Sequence, residues 1–114
     1  MTAQLPQNYH EIRHDPAIWG RVVESAIGAH LLNAIRGTQM ELFYWREGDE
    51  EVDFVIQHGK RLIALEVKTN QESFHRSGID SFVEKFKPTQ VLLIGSKGIS
   101  IETFLKTPLE KLLR

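Results

Sequence analysis

The chain contains no cysteine, which removes disulfides and thiolate metal sites and fits a reducing cytoplasm. No apolar run approaches the ~20 residues that a membrane-crossing helix requires, so no membrane partner is expected. Met1 to Arg13 lacks the apolar centre of a signal peptide. A basic excess is also missing: 14 Lys and Arg stand against 15 Asp and Glu, a formal net charge of −1. Nucleic-acid binders usually carry surplus positive charge or a basic stripe. Contact with phosphates must therefore come from local clustering, around Lys60, Arg61, Lys68 and Arg76. Several motifs are absent. Gly95-Ser96-Lys97-Gly98 is no P-loop, because G-x-x-x-x-G-K-[ST] does not occur. There is no G-x-S-x-G nucleophile elbow, and His10, His14, His30 and His58 do not form a zinc spacing.

What remains is an ordinary globular composition, 41% hydrophobic and 25% charged over 114 residues, enough for one domain with one core. Residues 1–14 are polar and aperiodic and read as a tail or linker remnant, leaving 15–114 as the domain. Asp15-Pro16 opens a predicted helix, with Asp as N-cap and Pro at the first helical position. Trp19, Val22, Val23, Ala26, Ile27, His30, Leu31 and Ala34 recur at helical spacing up to Gly37. The spacing predicts a helix over Pro16 to Arg36, lying against a sheet. Strands follow at Met40 to Arg46, Glu51 to Gln57 and Arg61 to Thr69, separated by turns at Glu47-Gly48-Asp49 and His58-Gly59. A second helix is expected over Glu72 to Lys87, with Phe74, Ile79, Phe82, Val83 and Phe86 inward and Pro88 ending it. Gln90 to Ile94 reads as a strand buried on both faces and Ile99 to Phe104 as a last strand. Thr107-Pro108-Leu109-Glu110 has capping-box spacing for a short final helix. The expected fold is α/β, in the order α-βββ-α-β-β-α.

The candidate chemistry lies in the hairpin. With His58-Gly59 as the central residues of a two-residue turn, Gln57 opposes Lys60, Val55 opposes Leu62, Asp53 opposes Ala64 and Glu51 opposes Glu66. One face then carries Val52, Phe54, Ile63, Leu65 and Val67. The other carries Glu51, Asp53, Val55, Leu62, Ala64, Glu66 and Lys68. Asp53 and Glu66 become diagonal neighbours with Cα atoms ~7–8 Å apart, near enough to reach one hard cation such as Mg²⁺. Lys68 points the same way and can orient a water or stabilise charge on a phosphate. Glu24 falls on the line of Ile27, Leu31 and Ile35, where a buried carboxylate needs a partner, a proton or a metal. The plain alternatives are a solvated polar face, whose ion pairs are worth ~0–1 kcal/mol, and a rim Glu24 paired with Arg21 or Arg36. Phe43, Tyr44 and Trp45 can stack on bases or fill a core. His75 and Arg76 can touch a phosphate at the start of the second helix or belong to a solvent-facing turn.

Glu24, Glu51-Val52-Asp53-Phe54-Val55 and Leu65-Glu66-Val67-Lys68 together resemble the PD-(D/E)XK nuclease superfamily. More closely, Trp19 to Glu24, Tyr44-Trp45-Arg46, Glu51 to Phe54 and Ile63 to Thr69 are similar to the uncharacterised C-terminal domain that follows the motor in many prokaryotic AAA-type ATPases. The resemblance runs from about Asp15 to the end. It implies a restriction-endonuclease-like core, a mixed central sheet flanked by helices. It also implies DNA phosphodiester hydrolysis with Mg²⁺ (or Mn²⁺) held by Asp53, Glu66 and the Val67 carbonyl, Lys68 assisting and Glu24 contributing. The partners it implies are DNA, an AAA-type motor domain or a second copy of the chain. The proline that names the motif is absent, since Val52 precedes Asp53. The ATPase part has no counterpart here, so the expectation is a fragment or stand-alone relative that does not hydrolyse ATP. The competing expectation is a binding module that keeps the fold without the chemistry, docking an ATPase, itself or nucleic acid.

Overall fold

Two glycines set the first half of the fold. Gly48 and Gly59 both take a φ of +64°, a conformation that the first central position of a tight hairpin turn demands and that glycine adopts without strain. They join three antiparallel strands, β1 (Glu41–Glu47), β2 (Glu50–His58) and β3 (Arg61–Lys68). The computed structural model describes residues 16–68, 76–95 and 98–113. Helix α1 (Pro16–Ile35) precedes the strands, and β4 (Arg76–Ser77), α2 (Ile79–Phe86), β5 (Gln90–Gly95), α3 (Ile101–Lys106) and α4 (Leu109–Leu112) follow them. The sheet runs in the order β1-β2-β3-β5, with β5 parallel to β3 and the short β4 parallel to the start of β2. The result is a mixed sheet with helices on both faces.

Alternation in the strands feeds two cores. On one side Ile56, Ile63, Leu65, Leu92 and Ile94 pack with Val23, Ile27 and Leu31 of α1 and Phe104 of α3. On the other, Val52, Val55 and Ala64 pack with Phe82 of α2. Trp45 lies edge-on to Phe82 and Phe86, with ring centroids 5.6 and 6.3 Å away. The first helix and the first three strands match the sequence expectation to within a residue at each described end. The Asp15 cap and Thr69 lie outside the described residues.

Three expectations need correction. The helix expected over Glu72 to Lys87 is described only from Ile79, after a strand residue pair at Arg76–Ser77; Phe74 lies outside the described residues. Of its apolar positions only Phe82 is buried, and Val83 and Phe86 are exposed. Strand β5 is not covered on both faces. It is at the edge of the sheet, and Val91 and Leu93 are each 38% exposed. Finally, Ile99 to Phe104 is not a strand. Ile99 makes one isolated bridge to Ile94, and Ser100 then caps α3 by accepting a hydrogen bond from Thr103 N–H at 3.1 Å. A side-chain cap of this kind outweighs the weak strand preference of the residues after it. Ser100→Ala should therefore lower stability by about 1 kcal/mol, read as a shift of the urea midpoint with unchanged slope. The final helix forms as expected, but Pro108 occupies its N-cap and the Thr107 hydroxyl donates instead to the Thr103 carbonyl.

Candidate active site

The β2–β3 hairpin turns one residue later than expected. His58 opposes Arg61, so Gly59 and Lys60 are the central pair. Val55 therefore opposes Ala64 and Phe54 opposes Leu65, rather than Val55 opposing Leu62 and Asp53 opposing Ala64. The turn remains two residues long, so the slip amounts to a full side-chain period and each residue of the ladder keeps its face.

Beyond Phe54 the simple alternation fails. Between Phe43↔Val55 and Trp45↔Val52 the pairing with β1 shifts, so that Asp53 and Phe54 together face Tyr44. This is a β-bulge, which bends the strand and re-aims side chains. N-terminal to it Val52 joins Val55 in the α2-side core, although both strict alternation and the sequence expectation put it with Phe54 and Ile56. The β2–β3 ladder also ends here, at Phe54↔Leu65. The edge of β2 that β3 leaves is taken over by β4, Glu50 opposing Arg76 and Glu51 opposing Ser77.

Two of the hairpin's acids, Asp53 and Glu66, are buried near the point where the β2–β3 ladder ends. Asp53 is 8% exposed, and its Oδ2 accepts a hydrogen bond from Val67 N–H at 2.7 Å. Glu66 is 2% exposed, and its Oε2 accepts a hydrogen bond from the Ser77 hydroxyl. Burial of two carboxylates is expensive without such donors. The Asp53 carboxylate is thereby held against the Glu66-Val67-Lys68 stretch, while Lys68 is exposed at the end of β3.

A cleft of about 340 Å³ adjoins Asp53, and its wall includes Glu24 on α1, Glu51, Tyr44, Leu42 and Phe54. Glu24 and Asp53 thus line one space, whereas Glu66 is not among the residues of that wall. Arg46 approaches Glu51 at 3.6 Å. Of the three aromatics of β1, Trp45 belongs to the core, whereas Tyr44 is 76% exposed beside the cleft and Phe43 is exposed too. His75 lies outside the described residues, and Arg76 is defined by its backbone pairing with Glu50.

Glu24, Glu51 and Asp53 make the cleft acidic, so a phosphate would meet like charge there unless a cation intervened. Asp53, Glu66 and the Val67 carbonyl offer hard oxygen donors, the chemistry Mg²⁺ prefers. Among the described residues no group of three or more His, Asp or Glu side chains is disposed to hold a metal. Asp53 and Glu66 would give a cation two carboxylates, and waters and substrate would complete its shell, as is usual for Mg²⁺. Ser77 is the site residue that spacing could not reveal, because its approach to Glu66 depends on how β4 docks.

A family described as a domain of unknown function matches residues 19–110. The match takes in the whole described sheet and every described residue of the site. Comparisons with curated proteins and with solved structures found no match.

Proposed function

Because the chain belongs to the family described as Domain of unknown function (DUF4143), which carries no activity in its description, we propose the function from the site: a Mg²⁺-dependent DNA phosphodiesterase domain on a restriction-endonuclease-like core. The observation that carries this reading is the bond from Val67 N–H to Asp53 Oδ2 at the point where β2 and β3 separate. It brings an acid of one strand to the Glu-x-Lys stretch of the next. Asp53 and Glu66, with the Val67 carbonyl, would hold the cation. Bound there, Mg²⁺ supplies a water of lowered pKa and polarises the phosphodiester. Lys68 balances charge on the phosphate and orients the water, and Glu24 completes the acidic wall from α1. The domain's place would be beside an AAA-type motor domain, the partner that the sequence resemblance implies.

A second reading is favoured by the balanced charge. It is a binding module on the same fold that docks a motor domain, a second copy or nucleic acid. No helix of the described residues is long and apolar enough to cross a membrane. Incubation with linear, nicked and branched DNA in Mg²⁺ or Mn²⁺ separates the two. The enzyme reading expects metal-dependent cleavage that falls by at least about 10²-fold in Asp53→Ala and in Lys68→Ala. Equal cleavage by these variants, or none by the wild type, rejects it in favour of the binding module.

A further inference from the structure

We propose that Ser77 is a positioning residue that sets the Glu66 carboxylate for cation binding, and so links the site to the docking of α2. The inference rests on the metal-site reading above and adds to it a residue outside the Asp53 and Glu-x-Lys motif.

The argument begins with how little freedom β4 has. Its backbone pairs with Glu50 and Glu51, and Gly78 N–H donates to the Glu51 carbonyl at 2.7 Å. Gly78 is pressed so closely on β2 that a Cβ there would stand 2.7 Å from the Trp45 ring and 3.2 Å from the Glu51 backbone. The Ser77 oxygen accepts from Ile79 N–H, at 3.4 Å, while its hydroxyl donates to Glu66. The next turn is anchored by the Gly78 carbonyl, which accepts from Phe82 N–H at 2.8 Å. Phe82 in turn packs edge-on against Trp45 and at a tilt against Phe86. A continuous chain of contacts therefore runs from the aromatic cluster through the start of α2 to one oxygen of Glu66.

Glu66 has three side-chain torsions, and although its backbone stays paired with Leu93 of β5, β2 no longer pairs beside it. Without a fixed donor, its buried carboxylate would have no defined direction. A hydroxyl held by the fold supplies that direction, as outer-shell hydrogen bonds orient metal-ligating carboxylates elsewhere. With Oε2 fixed by Ser77, Oε1 is the oxygen left to bind the cation.

The test uses the full chain with Ser77→Ala, Ser77→Thr, Glu66→Gln and the Ser77→Ala/Glu66→Gln pair. Denaturation in metal-free buffer measures the coupling between the two residues. Calorimetric titration with Mn²⁺ measures cation affinity. The expected result is coupling of about tenfold or more in the unfolding equilibrium constant. Mn²⁺ affinity should drop about 10–100-fold in Ser77→Ala and be restored in Ser77→Thr. Additive effects of Ser77→Ala and Glu66→Gln overturn the proposal. So does coupling without any change in Mn²⁺ affinity, which would leave Ser77 as a contact of the fold alone. A wild-type protein that takes up no Mn²⁺ overturns it too, and only that outcome removes the metal-site reading with it.

Discussion

Replacing Phe104 with alanine should lower the free energy of unfolding by about 3–5 kcal/mol, the largest loss expected from truncating a side chain in this domain. Phe104 is fully buried, and it sits in the α1-side core with Ile27, Leu31, Ile63 and Ile94. Its ring meets His30 of α1 edge-on, with centroids 5.4 Å apart. It is presented by α3, a helix of six residues. So short an element holds its place by what it buries rather than by helix propensity. The vacated space would be bordered by α1, α3 and the sheet, which are tied through other contacts and can close only in part. A domain of this size commonly has about 5–15 kcal/mol in total, so the variant should be close to unfolding at moderate urea. Urea titration followed by far-UV circular dichroism checks it. A loss under about 1 kcal/mol would show that Phe104 does not join α3 to the sheet.

Gly95→Ala should have an effect of similar size for a different reason. Gly95 ends β5 with a φ of +124°, and a Cβ built on it would lie 1.8 Å from the Lys68 carbonyl oxygen. Its own N–H donates to the Ile99 carbonyl at 2.7 Å, and Lys68 is its partner in the β3–β5 ladder. The substitution combines a backbone conformation that L side chains rarely adopt with an overlap that only backbone movement relieves. Together these should cost about 3 kcal/mol or more, a melting temperature lower by at least ~12 °C. The displaced strand end carries Lys68, so any activity should fall further than the fraction folded. Measuring both at a temperature where the variant is still native separates the two effects. A melting temperature within a few degrees of wild type would contradict the close approach of β5 to Lys68.

The periodic parts of the chain were legible in advance because each residue's surroundings follow from local geometry. Apolar residues at helical spacing defined α1. Alternation on either side of Gly48 and Gly59 defined three strands, and an even-length turn kept Val55 with Ala64 and Ile56 with Ile63. Asp53, Glu66 and Lys68 stood out as polar positions in otherwise apolar runs, and Glu24 for the same reason on α1. The short elements were less legible. Ile99 to Phe104 has the composition of a strand, and a single cap at Ser100 turned it into a helix. Val91 and Leu93 look like interior positions, yet nothing in their composition reveals that β5 is the edge of the sheet.

The amino-acid order was sufficient to say which residues would be polar near the end of a hairpin, since side-chain direction repeats every second residue along a strand. It could not say that β2 would bulge at Asp53 and Phe54, that β3 would part from it there, or that Ser77 would arrive to bond Glu66. Those outcomes depend on how α1, α2 and β4 pack against the sheet. Packing is a competition among distant surfaces, and no short window of sequence contains all the competitors.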